Sequence, residues 1–187
     1  MNRAGFLIRA MLVLLAFVPV QGVLAQEGPS LIILVRHAEK AAVPGADPPL
    51  SEAGKARAKA LGAVLANTRL DAIVTTTYAR TFETADVVAK DHNLPFEKVK
   101  VDGTHIAAVA AAVKAKKGVV LVVGHSNTIP AIIAALGGPE LPDICEAYYS
   151  KLFVLQPMGS NPASLTVANY GASDPENAPG CATMQVR

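Results

Sequence analysis

Four side chains placed just beyond apolar runs carry the chemistry available to this sequence. Arg36 and His37 follow LIILV (Leu31 to Val35) directly. Arg80 comes shortly after the weaker run Asp71 to Thr75, and His125 follows VVLVV (Val119 to Val123) across the single residue Gly124. Two guanidiniums can clamp phosphate oxygens through bidentate, charge-assisted hydrogen bonds. A neutral imidazole nitrogen can attack phosphorus in line, and nearby arginine charge disfavours imidazolium, which helps keep the attacking ring neutral. The phosphoryl group would pass to histidine and then to water, dividing one hard step into two. Stabilising the charge spread over the equatorial oxygens would supply most of the rate. The set points to phosphoryl transfer. Taken singly, either histidine reads as a hydrogen-bonded structural residue. What favours chemistry is its coincidence with two of the five arginines that follow residue 25.

For these residues to meet, the runs that precede them must lie in one sheet. LIILV and VVLVV lack polar alternation, the pattern of strands covered on both faces. Asp71 to Thr75, Lys98 to Val101, KLFVL (Lys151 to Leu155) and LTVAN (Leu165 to Asn169) supply four further strands, the last two joined by a Gly/Asn/Pro turn. Helical patterns lie between them. Ser51 caps a helix reaching about Asn67, with Gly54, Ala58, Leu61 and Leu65 on one face. A second helix runs from about Ala79 to Asp91. A third starts after Thr104 and ends in Lys114, Lys116, Lys117 and Gly118, cations and a glycine that suit a helix C-terminus. A fourth follows Ser126 or Asn127, and its first amides would favour a bound anion. The order predicts an α/β fold: a three-layer α/β/α sandwich with a mostly parallel sheet of about six strands. Ligands in such sheets bind beyond the strands' carboxyl ends, where Arg36, His37, Arg80 and His125 fall.

Composition bounds the rest. The 187 residues are 51% hydrophobic and 17% charged, as expected of one domain with a real core. Aromatics are 5% and tryptophan is absent, which argues against a base-stacking nucleic-acid module. The formal charge of +2 rests on Arg3 and Arg9; without them acids and bases balance, leaving no global field for nucleic acid or anionic lipid. Residues 1–25 have the layout of a secretory signal: two arginines, the uncharged run Ala10 to Val20, then small residues at Val23 and Ala25. The expectation is an exported, periplasmic or secreted domain, residues 26–187, with an irregular tail from about residue 171 and no membrane attachment after cleavage. Cys145 and Cys181 suit an oxidising compartment, as a bridge or as two inert thiols.

Four blocks resemble one family in its order. LVRHAEK (Leu34 to Lys40), PLSEAG (Pro49 to Gly54), YARTFETA (Tyr78 to Ala85) and VVGHSNT (Val122 to Thr128) are similar to the signatures of the histidine phosphatase superfamily, the phosphoglycerate-mutase-like group. The resemblance implies that His37 is the phosphorylated nucleophile, that Arg36 and Arg80 hold the phosphoryl oxygens, and that His125 donates to the transferring group. Ser126 and Asn127 would be further phosphate donors. PLSEAG would lean on the His37 loop, with Gly54 allowing the approach. The family needs no metal or other cofactor, and the His37-Ala-Glu39 spacing is not a helical zinc pair.

The sequence departs from the larger relatives in lacking a long insertion that carries a glutamate general acid. Between Arg80 and the strand at Val119 the candidates are Asp86, Asp91, Glu97 and Asp102. The first two read as a solvated helix face, and Asp102, at an expected strand end, is either the acid or a turn residue. Glu39 is an alternative acid, more suited to orienting Arg80 or pairing with Lys40. A missing strong acid favours leaving groups such as those of phosphohistidine or phosphoanhydrides. His92 and His105 read as surface residues. The loop Ala41 to Pro49 and the surroundings of Asp102 would shape substrate choice. The expectation is thus a phosphoric monoester hydrolase acting on a small phosphorylated substrate or a phosphoprotein through a phosphohistidine at His37. The alternatives are a non-catalytic phospho-ligand binding module and a phosphotransfer relay partner.

Overall fold

A computed structural model describes residues 28–181; the expected signal segment, residues 1–25, lies outside the described residues. Two apolar runs form its centre. β1 (Pro29–Arg36) and β4 (Gly118–Gly124) pair in parallel, in register from Leu31 opposite Val119 to Arg36 opposite Gly124. β2 (Ala72–Thr76) lies parallel to β4 on its other side, and β3 (Phe96–Val99) parallel to β2 at the edge. β5 (Lys151–Met158) runs antiparallel to β1, and β6 (Asn161–Asn169) antiparallel to β5. The six-stranded order is β3-β2-β4-β1-β5-β6. The sheet is mostly parallel, as expected, with its antiparallel pairings confined to one side.

Both faces are covered. Ile33, Val35, Ile73 and Leu121 point into a core shared with α1 (Glu52–Leu65) and α2 (Ala79–His92). Ile32, Leu34, Val74 and Val122 point the other way, toward α3 (His105–Lys114) and α4 (Thr128–Ala135). Each central strand feeds both cores, which is why its sequence shows no polar alternation. Among the described residues, no helix is long and apolar enough to cross a membrane.

α1 begins where its sequence signals it. The Ser51 hydroxyl accepts a bond from the Gly54 amide at 3.1 Å, and Gly54, Ala58, Leu61 and Leu65 are all buried. Gly54 packs on the backbone that follows His37: a Cβ added there would stand 2.2 Å from the Glu39 carbonyl oxygen. β3 lies two residues earlier than the expected Lys98 to Val101. Its partner β2 ends at Thr76, which pairs with Val99, so no neighbour remains to extend the ladder. Residues 171–181 carry no strand or helix, yet they are tied down. Arg57 Nη1 donates to the carbonyls of Tyr170 and Ala172, each at 3.0 Å. Asp174 accepts from the amides of Tyr149 and Ser150 at 2.8 and 2.9 Å. Cys145 and Cys181 are bonded to each other, which joins this tail to the segment before β5. The chain-entropy model gives such a loop roughly 3–4 kcal/mol.

Gly54→Ala should lower stability by about 2–3 kcal/mol, because the new methyl meets backbone rather than a movable side chain. Urea unfolding checks this; a variant as stable as the parent would contradict the packing described.

Candidate active site

The register of β1 and β4 sets up the site. One residue past the last paired positions, the His37 amide donates to the Gly124 carbonyl at 2.8 Å, so His37 and His125 leave adjacent strands side by side. Their ring centroids are 5.4 Å apart. The loop after His37 is held from below: the Ala38 amide donates to Thr84 Oγ1 at 2.9 Å, and the Ser51 amide donates to the Glu39 carbonyl at 2.9 Å.

His37 is 5% exposed. Its Nδ1 lies 2.8 Å from the Ala38 carbonyl oxygen. A carbonyl can only accept, so in the neutral ring Nδ1 carries the proton and Nε2 keeps a bare lone pair. Burial pushes the ring down to about 3; the Ala38 hydrogen bond opposes this, and the charges of Arg36, His125 and Arg80 add to it. Burial likewise pushes His125 down to about 4, with Arg80, His105 and Arg36 contributing and Asp47 opposing. At neutral pH both rings are uncharged. The Thr81 hydroxyl reaches the carbonyls of Tyr78 and Thr76 at 2.8 and 3.1 Å, and its oxygen lies 2.9 Å from Thr76 Oγ1. Thr76 Oγ1 also lies 3.3 Å from His125 Nε2, which joins that ring to the threonine chain.

Arg80 starts α2 and faces the same pocket, stacked 4.2 Å over the Tyr78 ring. Asp47 holds this corner: its carboxylate accepts the Ala79 amide at 2.9 Å and lies 3.5 Å from Arg80 Nη1. The pocket encloses about 300 Å³. His37, Lys40, Arg80, His125, Ser126 and Asn127 line it, together with Glu146. Ser126 and Asn127 line it beside His125. The Thr128 and Ile129 amides, by contrast, are turned to the His125 carbonyl at 3.2 and 3.0 Å.

Arg36 departs from the expected simple clamp. It is 2% exposed, and Nη1 donates to three carbonyls, Cys145 at 2.9 Å and Glu146 and Tyr148 at 3.0 Å. Nη2 donates to the Glu146 carboxylate at 2.6 Å, and the guanidinium stacks 4.0 Å over Tyr149. Only Nε is buried without a partner. Arg36 therefore organises the segment before β5; it is not among the residues lining the pocket, and its Nε–H alone is left without a partner.

The expected acids lie elsewhere. Asp102 sits three residues beyond β3, exposed, where its carboxylate closes the turn into α3 by accepting the Thr104 amide at 2.9 Å and hydroxyl at 2.7 Å. Those bonds hold it below the ordinary carboxylate range, and it does not line the pocket. Glu39 neither orients Arg80 nor pairs with Lys40; it forms a two-pronged bond with Arg57, 2.8 and 2.9 Å. Asp86 pairs with Lys90 at 2.5 Å, and Glu97 pairs with Lys116. His105 is buried, not on the surface, its Nδ1 2.9 Å from the Lys100 carbonyl oxygen, because the first turn of α3 shares its inward face with Val109 and Val113. Two lining or supporting carboxylates, Glu146 and Asp47, were not anticipated from sequence. The only sequence signal near Glu146 was the adjacent Cys145.

Both histidines are protonated more readily in the unfolded chain than in the folded one. Their contribution to stability is therefore complete above about pH 6.5 and is lost as pH falls toward their folded values. Nitrogen NMR of the ligand-free protein should find His37 and His125 neutral down to about pH 5, with urea stability already declining there. A His37 ring titrating at its ordinary value would contradict the desolvated site.

Known proteins can be set beside this geometry. The family model of the histidine phosphatase superfamily (branch 1) matches residues 32–101. No curated protein matches the chain. Among solved structures, the protein histidine phosphatase SixA complexed with tungstate has a TM-score of 0.59 at 17% identity, covering 74% of this chain and 96% of its own; at that identity it attests the fold. A candidate phosphohistidine phosphatase SixA from Nakamurella multipartitia has a TM-score of 0.55 at 27% identity, over 76% of this chain and 96% of its own. One from Agrobacterium tumefaciens has 0.53 at 25%, over 78% and 99%. The signature of the histidine phosphatase superfamily (branch 1) thus lies on residues 32–101 of a fold that these structures share.

Proposed function

We propose that the protein is a metal-independent phosphatase that works through a phosphohistidine at His37. One observation carries this reading: a buried, uncharged His37 with its Nε2 lone pair free stands beside Arg80 and His125 in one pocket. In the first step a bond forms between His37 Nε2 and phosphorus while the bond to the leaving group breaks, and the electron pair departs with that group. In the second, water attacks phosphorus, the P–Nε2 bond breaks with its electron pair returning to Nε2, and the proton of the attacking water passes to a phosphate oxygen. Arg80, the His125 ring and the unpaired Nε–H of Arg36 would stabilise the oxygens of the transition state. The Ala38 carbonyl fixes the His37 tautomer throughout. The names of the two neighbours of 25% identity or more support a phosphorylated protein or a small phosphoramidate as substrate. We place the protein outside the cytoplasm, as residues 1–25 and the Cys145–Cys181 pair together favour.

Purified protein should hydrolyse an aryl phosphate in the presence of chelator and acquire an acid-labile, alkali-stable label on His37. His37→Ala should abolish both. Arg80→Ala should cost about 3 kcal/mol, roughly a hundredfold in kcat/KM, the scale of one preorganised charge contact. Phosphate binding without turnover would instead favour a binding module. Label that leaves only when a second protein is added would favour a relay partner.

A further inference from the structure

Glu146 is the one carboxylate among the described residues lining the pocket, and it is held there. One oxygen accepts from Arg36 Nη2 at 2.6 Å and the other accepts the Ser126 hydroxyl. Its side chain is 73% exposed, whereas His37 is almost wholly buried. This difference in depth orders the pocket. The proposed nucleophile is at the floor, a phosphoryl group must sit above it, and in-line displacement expels the leaving group toward solvent. Glu146 stands at that outer rim. Burial alone would raise its carboxyl, but the Ser126 hydrogen bond and the Arg36 charge hold it below its ordinary value, so it is an anion and not a stored proton. Among the described residues, no other carboxyl lines the pocket to supply the proton that an alkoxide leaving group needs.

We propose that Glu146 sets the substrate class of this site: its carboxylate pairs with a leaving group that already carries a proton and a positive charge, favouring phosphoramidates of basic nitrogen over phosphate esters. The inference rests on the reading of His37 as nucleophile. In such a substrate, a phosphorylated imidazolium or ammonium, the P–N bond breaks with its electron pair returning to nitrogen. The nitrogen base leaves neutral without taking a proton from the protein. Before that step its N–H can donate to Glu146, so the charge that would repel an ester's leaving oxygen attracts this one. Lys40 shares the rim, and the phosphoryl oxygens are the natural partners of its ammonium.

Glu146→Gln tests this, since the amide keeps an acceptor for Arg36, removes the charge and turns an NH2 donor toward the Ser126 hydroxyl oxygen. Phosphate release would be measured for N-phosphohistidine and for 4-nitrophenyl phosphate, with thermal unfolding as the control. The expected result is a fall of about tenfold in kcat/KM for the phosphoramidate, the scale of one charge-assisted hydrogen bond. The aryl ester should gain rather than lose, since its leaving oxygen no longer faces the anion, and the variant should stay folded at the assay temperature although loss of the Arg36 ion pair lowers its melting temperature. Equal losses on both substrates would make Glu146 only a support for Arg36. Equal gains would make it only an internal competitor for the anion. Either result, or no change at all, overturns the proposal while leaving the phosphatase reading intact. A parent protein that turns over neither substrate overturns both.

Discussion

The parallel pairing that sets Arg36 opposite Gly124 is the constraint on which the site depends. Two strands far apart in sequence end at the same level. The residue after each is a histidine, and the His37 amide extends the ladder by one bond to the Gly124 carbonyl. A slip of one residue would send one of the rings to the opposite face of the sheet. Because both strands are buried on both sides, the place where they end is already poor in water. That same burial is the largest influence lowering His37 and His125. Packing of the sheet and neutrality of His37 thus have one cause.

Desolvation also creates a difficulty, since Arg36 cannot lose its charge. A buried guanidinium is tolerated only when its protons are satisfied. The segment before β5 does this for Nη1 and Nη2, with the carbonyls of Cys145, Glu146 and Tyr148, the Glu146 carboxylate and the face of Tyr149, and leaves only the Nε–H unpaired. The segment has no secondary structure of its own to hold that shape. It is held by the Cys145–Cys181 bridge and by Asp174, which accepts from the amides of Tyr149 and Ser150. Arg57 serves as a second anchor, joining Glu39 next to the active loop to the carbonyls of Tyr170 and Ala172. The tail is therefore part of the support of the site, although it lies over a hundred residues from His37.

Much of this was legible in the sequence, for identifiable reasons. LIILV and VVLVV declare doubly covered strands by their unbroken apolarity, and Ser51 and Gly54 declare the start of a helix that must approach another backbone closely. Arg36, His37, Arg80 and His125 could be placed on one rim because strand ends in this architecture share a side. What stayed hidden depends on contacts between loops. Glu146 and Asp47 lie in stretches without periodicity, so nothing in their spacing reveals that they turn toward Arg36 and Arg80. Asp102 misled because β3 ends at Val99, set by the length of β2 and not by its own residues. His105 misled because a polar residue in a first turn was read as exposed, whereas that turn faces the core.

The central claim is that one oxyanion seat joins His37 Nε2 to Arg80 and His125. A crystal structure of the protein with vanadate bound measures this most directly. The account predicts vanadium bonded to His37 Nε2, with its oxygens within hydrogen-bond reach of Arg80, His125 and Ser126. Vanadate held away from His37, or bonded to a different side chain while the pocket stays empty, would contradict it.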